Sequence, residues 1–191
     1  MQINDVKKLT DNKWLNLFEI NFTDNHNKAN RWQMASRREQ PEMLQKQTLP
    51  DAAVIIPWHV ARQKLVLLRE FRVILNGWQY AFPAGLLDPG ETTLVSAARE
   101  LEEETGLALT RVLKMTPPLS SSAGLTDETI SLVFVECSGE PRDLCGKSEE
   151  SATLLFSQNE ARELLLDEAA AFDVRAWLGL AAFAVNGWPF L

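Results

Sequence analysis

Four glutamates, Glu100, Glu102, Glu103 and Glu104, fall within five residues of one another. The segment that carries them, Thr92 to Thr105, reads as a helix with Thr92 or Thr93 as its N-cap and Gly106 as its C-terminal stop. Positions i, i+3 and i+4 are neighbours on a helix. Glu100, Glu103 and Glu104 therefore share one face, and Leu94, Ala97, Ala98 and Leu101 form another that is suited to packing. Like charges at these spacings repel, at a cost of about a few tenths of a kcal/mol per pair. The cluster also lies toward the helix C-terminus, where the dipole disfavours anions by roughly 0.3–1 kcal/mol. Something outside the helix must offset both penalties. A hard divalent cation would, because Mg²⁺ takes carboxylate oxygens and keeps waters that an incoming phosphate displaces. The alternative for an acidic run taken alone is a solvated face, with Arg99 bridging to Glu103 one turn on.

The elements that must position this helix belong to a chain of 191 residues, enough for one compact domain or one domain with a small appendage. Its 19 basic and 26 acidic side chains leave a formal charge of −7. Nucleic acid and anionic membranes are held by cations, so the composition speaks against both as partners. The most apolar stretch, Ala169 to Val185, is interrupted by Asp173 and Arg175 and is no membrane span. The first residues, MQINDVKKLTDNKW, lack the apolar core of a signal peptide. Cys137 and Cys145 form no CxxC and have no histidine at zinc-ligand spacing, which suits reduced thiols in a cytoplasmic protein.

Residues 1–48 are polar, and alternation in Trp14 to Ile20 and in Asn30 to Arg37 predicts two strands joined by a turn at Thr23 to Lys28. A strand pair is marginal by itself and must lean on the rest of the chain or on a second subunit. Residues 49–191 carry stronger signals. Ala52–Pro57, Lys64–Glu70, Gln79–Phe82, Thr129–Cys137 and Thr153–Phe156 read as strands. Gln158–Leu166 and Phe172–Asn186 read as helices. The mixture, without strict βα alternation, predicts an α/β fold with a mixed sheet flanked by helices and a small N-terminal antiparallel β unit.

The spacing around the acidic helix is more specific than the acidity. Gly85 is followed after five residues by Glu91, then after seven by Arg99-Glu100-Leu101, and then by Glu103-Glu104 and Gly106-Leu107. At average residue frequencies a chance match to this pattern is on the order of 10⁻⁷. The segment GLLDPGETTLVSAARELEEETGL resembles the Nudix box at every defining position. The resemblance implies a Nudix α/β/α sandwich that cleaves a nucleoside diphosphate linked to another moiety. It also implies Mg²⁺, with Mn²⁺ as a substitute, held by Glu100, Glu103, Glu104 and the backbone carbonyl of Ala84. Glu91 and Arg99 would hold loop and helix in register, and Gly85 and Gly106 would supply permissive backbone.

The flanks narrow the resemblance. LLREFRVILNGWQYAFPAGLLDPGE is similar to the ADP-ribose and ADP-sugar pyrophosphatase group, with Ala81 where that group carries glutamate. NKWLNLFEINFTDNHNKANRWQMASRR resembles the N-terminal β unit of its human-type members, in which one tryptophan from each subunit of a dimer sandwiches the adenine. The matching positions are Trp14 and Trp32, and stacking of this kind is worth about 1–3 kcal/mol per base. Tryptophans filling a seam between two small sheets are the alternative. Arg37 and Arg72 match positions that reach phosphate or ribose, a task that suits the planar guanidinium fork. Gly124 and Leu125 fall in a segment similar to the substrate loop, with Ala123 in place of the usual proline. Glu149 aligns with the acid that activates water or holds metal, and Glu103 is the second candidate base.

The resemblance therefore implies a homodimeric hydrolase of a small-molecule nucleotide sugar, with ADP-ribose first and AMP and ribose 5-phosphate as products. GDP-mannose or another NDP-hexose is the alternative substrate. A Nudix-fold sensor that binds nucleotide without cleaving it is the alternative of another class, and it has no need of the repulsive cluster. Substrate preference, the base and the number of metal ions are left open by the sequence.

Overall fold

A computed structural model describes residues 1–41, 47–143 and 150–189. In chain order the strands are β1 (Gln2–Lys8), β2 (Asn16–Thr23), β3 (Ala29–Ser36), β4 (Ala52–His59), β5 (Lys64–Arg72), β6 (Gly77–Ala81), β7 (Ala84–Leu86), β8 (Ala108–Met115), β9 (Leu119–Ser120), β10 (Thr129–Ser138) and β11 (Ser151–Phe156). The helices are α1 (Thr93–Thr105), α2 (Gln158–Leu165) and α3 (Val174–Asn186).

One compact unit comprises Met1–Asp51 and Pro117–Ile130. Its antiparallel sheet runs β1-β2-β3, so the two expected strands are the second and third of three. The strand β1 reads QINDVKK and buries no complete face, which left periodicity nothing to report. Phe18 and Met34 are buried and face each other across β2 and β3. The turn between these strands forms because the Asp24 carboxylate accepts from the His26 and Lys28 amides at 2.8 and 2.9 Å.

The other unit comprises Ala52–Thr116 and Ser131–Leu191. Its mixed sheet has the order β11-β5-β4-β10-β8, with β6 added to β5 and β7 to β4. The strands β4 and β10 are buried almost throughout because both faces of the sheet are covered. Successive strand side chains alternate between faces. Ala53 and Ile55 join Val66, Val133, Val135 and Cys137 in a cluster with Ala97 and Leu101 of α1. Trp58 has the opposite parity, and its ring meets Phe183 of α3 edge-on at 5.7 Å. Helices therefore lie on both faces, as an α/β/α sandwich. Among the described residues no helix is long and apolar enough to cross a membrane. Burial in this core pushes the Cys137 thiol up to about 12, while Cys145 lies outside the described residues.

Three local expectations change. The inner stripe of α1 is Thr93, Ala97, Leu101 and Thr105, spaced by four, and Leu94 stands about 100° off it and is 44% exposed. The strand β8 was not foreseen, because two register shifts against β10 break its alternation. The helix α3 begins after Phe172 rather than at it. Asp173 is its N-cap, accepting from the Arg175 amide, and Phe172 instead bridges to Tyr80 of β6.

Gly179 lies inside α3, where alanine ordinarily gains about 1 kcal/mol. A Cβ there would stand 2.6 Å from Cε2 of the buried Phe82 ring. Gly179→Ala is therefore expected to lower stability by about 1–3 kcal/mol in urea denaturation, through overpacking. A stabilised variant would mean that α3 does not press on Phe82.

Candidate active site

The loop that enters α1 is closed by its own backbone and by one arginine. The Glu91 amide donates to the Asp88 carbonyl at 2.9 Å, and the Asp88 amide returns to Glu91 Oε2 at 2.9 Å. Thr92 caps the helix, its hydroxyl accepting from the Val95 amide. Arg99, two turns into the helix, sends Nε and Nη2 back to the two Glu91 carboxylate oxygens at 3.0 and 2.9 Å. Its Nη2 also meets the Leu86 carbonyl at 3.2 Å. The bidentate pairing drives the Glu91 carboxyl down to about 2 and raises the Arg99 pKa. Gly106 ends the helix in the left-handed region at φ 72°, its amide bonded to the Glu102 carbonyl.

Nη1 of Arg99 stands between the next two glutamates, 2.7 Å from Glu100 Oε1 and 3.2 Å from Glu103 Oε2. Glu100 is mostly buried and Glu103 mostly exposed. Burial pushes the Glu100 carboxyl above its ordinary range against the pull of Arg99, and the charges of Glu103 and Glu91 push the same way. Glu104 faces the preceding strand, where its Oε2 accepts from the Ala84 amide at 3.0 Å. A Cβ at Gly85 would stand 1.9 Å from Glu100 Oε1, so the bare backbone there leaves room for the carboxylate in this position. Among the described residues no three acidic, histidine or cysteine side chains converge as a ready ligand set. The donor chemistry nevertheless fits a hard divalent cation. The donors are all oxygen, the Glu100 carboxylate is cradled on bare Gly85 backbone, and a guanidinium already spans Glu100 and Glu103.

Ala84 and Glu104 also line a small polar cleft of about 160 Å³. Arg72 reaches it from the end of β5, with Nη1 3.4 Å from Glu70 Oε2, and Gln79 of β6 donates to Glu70 Oε1 at 2.9 Å. Ala81 and Phe82 lie in its wall. Sequence reasoning did not select the remaining lining pair, Asp173 and Arg175. The signal was present as two charges interrupting an apolar stretch.

In the other compact unit Trp32 is 53% exposed on β3, and its Nε1 donates to the Gly124 carbonyl at 3.2 Å. The loop that carries Gly124 and Leu125 is tied to the same strand, since the Ala35 amide donates to the Leu125 carbonyl at 2.8 Å. Arg37 lies 3.6 Å from Glu128. Trp14, before β2, is 69% exposed with the Lys13 ammonium over its ring. Trp32, Gly124 and Leu125 are thus brought together. Glu149, the first candidate base, lies outside the described residues.

A family model described as NUDIX domain matches residues 48–178. The chain is 24% identical over 196 aligned residues to an ADP-sugar pyrophosphatase of Mus musculus, covering 95% of this chain and 87% of that protein. It is 29% identical over 142 residues to an ADP-ribose pyrophosphatase of Saccharomyces cerevisiae, covering 69% of this chain and 56% of that protein. A crystal structure of an ADP compounds hydrolase superposes with a TM-score of 0.70 at 21% identity, over 98% of this chain and 92% of that one, and shares its fold.

The Glu91 carboxyl, held at about 2 in the folded chain against an ordinary 4.5, contributes stability that is complete above about pH 5 and fades as pH falls toward 2. The stability gap between wild type and Glu91→Gln is expected to be widest at neutral pH and to narrow as pH falls from about 4.5 toward 2, read from urea midpoints. A gap independent of pH would mean that the Arg99 pairing does not stabilise the fold.

Proposed function

The chain belongs to the NUDIX domain family, and on that premise we propose that it hydrolyses the diphosphate bond of a nucleotide sugar, with ADP-ribose as the first substrate and AMP and ribose 5-phosphate as products. The observation that carries the reading is the adjacency of the two halves such a reaction needs. Glu104 and Ala84 stand at the acidic helix and also in the wall of the polar cleft that Arg72 enters. The ADP-ribose and ADP-sugar relatives support this choice of substrate.

Glu100, Glu103, Glu104 and the Ala84 carbonyl would hold Mg²⁺, which when bound neutralises the diphosphate and polarises one phosphorus. Arg72 grips phosphate oxygens and turns the bridging bond toward the acidic helix. A carboxylate, Glu149 or Glu103, takes one proton from the attacking water. The water oxygen bonds to one phosphorus in line as the bridging P–O bond breaks, and the displaced phosphate keeps the bond electrons. Gly85 and Arg99 keep the glutamates in place throughout. The intact acidic cluster weighs against a sensor that only binds.

Trp14 and Trp32 are both exposed, and we read them as the two halves of a base sandwich shared between subunits of a homodimer, with Arg37, Gly124 and Leu125 beside it.

Incubation with ADP-ribose and Mg²⁺ is expected to yield AMP and ribose 5-phosphate, detected by anion-exchange chromatography, and EDTA is expected to abolish both. Hydrolysis that survives EDTA would overturn the mechanism. A higher kcat/KM for GDP-mannose than for any ADP-sugar would replace the substrate. Glu104→Gln is expected to lower kcat by about 10²-fold or more with the fold retained, measured beside a thermal melt. Light scattering is expected to give twice the chain mass, and a monomer would remove the shared tryptophan sandwich.

A further inference from the structure

We propose that Arg175 is a second guanidinium for the substrate diphosphate, binding its phosphate oxygens in the same cleft as Arg72, and that Asp173 is the residue that positions it. The proposal rests on the cleft being the substrate site and adds a specificity-determining residue to it.

The cleft indicates which part of a nucleotide sugar it takes. Its lining includes two guanidiniums, the Gln79 amide and three carboxylates, with Phe82 as the one aromatic side chain among the described residues. Such walls suit phosphate oxygens and hydroxyls rather than a base. The carboxylates are already matched. Glu70 receives Gln79 and Arg72, Asp173 receives Arg175, and Glu104 receives the Ala84 amide. The two guanidiniums are thus already paired with carboxylates, and an entering phosphate shares them with Glu70 and Asp173.

Arg175 is held for this task. Its Nε and Nη2 donate to the two oxygens of Asp173 at 2.7 and 2.5 Å, a bidentate contact that fixes the plane of the guanidinium. Asp173 is itself fixed. Its amide donates to the Tyr80 carbonyl at 2.9 Å, and the Tyr80 amide donates to the Ala171 carbonyl at 2.8 Å. The start of α3 is thus strapped to β6, two residues before Phe82 and four before Ala84. Burial would raise the Asp173 carboxyl, but the hydrogen bonds and charge of Arg175, with the Ala176 amide, together outweigh it and leave the group below its ordinary range, as an anion. In the purely architectural alternative, Arg175 only backs the Asp173 cap of α3.

The two roles separate by experiment. Arg175→Gln, Arg175→Lys and Asp173→Asn would be compared with wild type in kinetics on ADP-ribose with Mg²⁺, in calorimetric binding of α,β-methylene-ADP-ribose, which lacks the scissile oxygen, and in thermal melts. Arg175→Gln is expected to raise KM and the analogue Kd together by about 10- to 100-fold, with kcat within about threefold of wild type. Arg175→Lys is expected to recover part of the loss, because it restores the charge but not the fork. Asp173→Asn is expected to fall between them. Analogue binding by Arg175→Gln within about twofold of wild type would overturn the proposal, and so would losses that follow the melting temperature across the three variants. If wild type binds the analogue but cleaves no nucleotide sugar, the activity is overturned and the binding series still decides the role of Arg175. If wild type does not bind the analogue, both fall.

Discussion

Carboxylates placed three and four residues apart on one helix repel one another, and the surroundings of α1 are arranged around that repulsion. Arg99 answers it from inside the chain. Its guanidinium touches Glu91 in the entry loop and Glu100 and Glu103 on the helix, so one cation ties the loop to α1 and separates two anions. Burial, more than the neighbouring charges, pushes the Glu100 carboxyl up even with Arg99 beside it. Gly85 completes the arrangement by omitting the one atom that would collide with that carboxylate.

The sheet makes this possible by holding β4 and β7 rigidly beneath the helix. Ala53 and Ile55 of β4 pack on Ala97 and Leu101, while β7 pairs with β4 through Val54 and Ala84 and presents the Ala84 amide to Glu104. The opposite face of the same sheet carries α3, pressed close enough that a Cβ at position 179 would crowd the Phe82 ring. A helix far from the acidic segment in sequence is thereby brought to the same cleft.

Much of the fold was legible because its signals are local. Thr92 and Gly106 bound α1 through capping chemistry that depends on neighbours within one turn. The apolar runs of β4, β5 and β10 follow from burial on both faces. What escaped lacks a buried face or a regular period. The strand β1 is almost wholly exposed, β8 is bulged, and β7 is three residues long. Leu94 misled because a leucine at helical spacing is no guarantee of a place on the inner stripe.

By itself the sequence determined the kind of chemistry. Which carboxylates share a face, which arginine reaches them and where the helix starts and stops all follow from spacing along one helix, a geometry that every chain obeys. Only the tertiary structure decided what surrounds that helix. The cleft is assembled from β5, β6, β7, α1 and the start of α3, and Asp173 and Arg175 enter it because backbone hydrogen bonds to Tyr80 strap α3 to the sheet. Contacts between residues so far apart in the chain are set by packing and long-range pairing, and no local pattern encodes them.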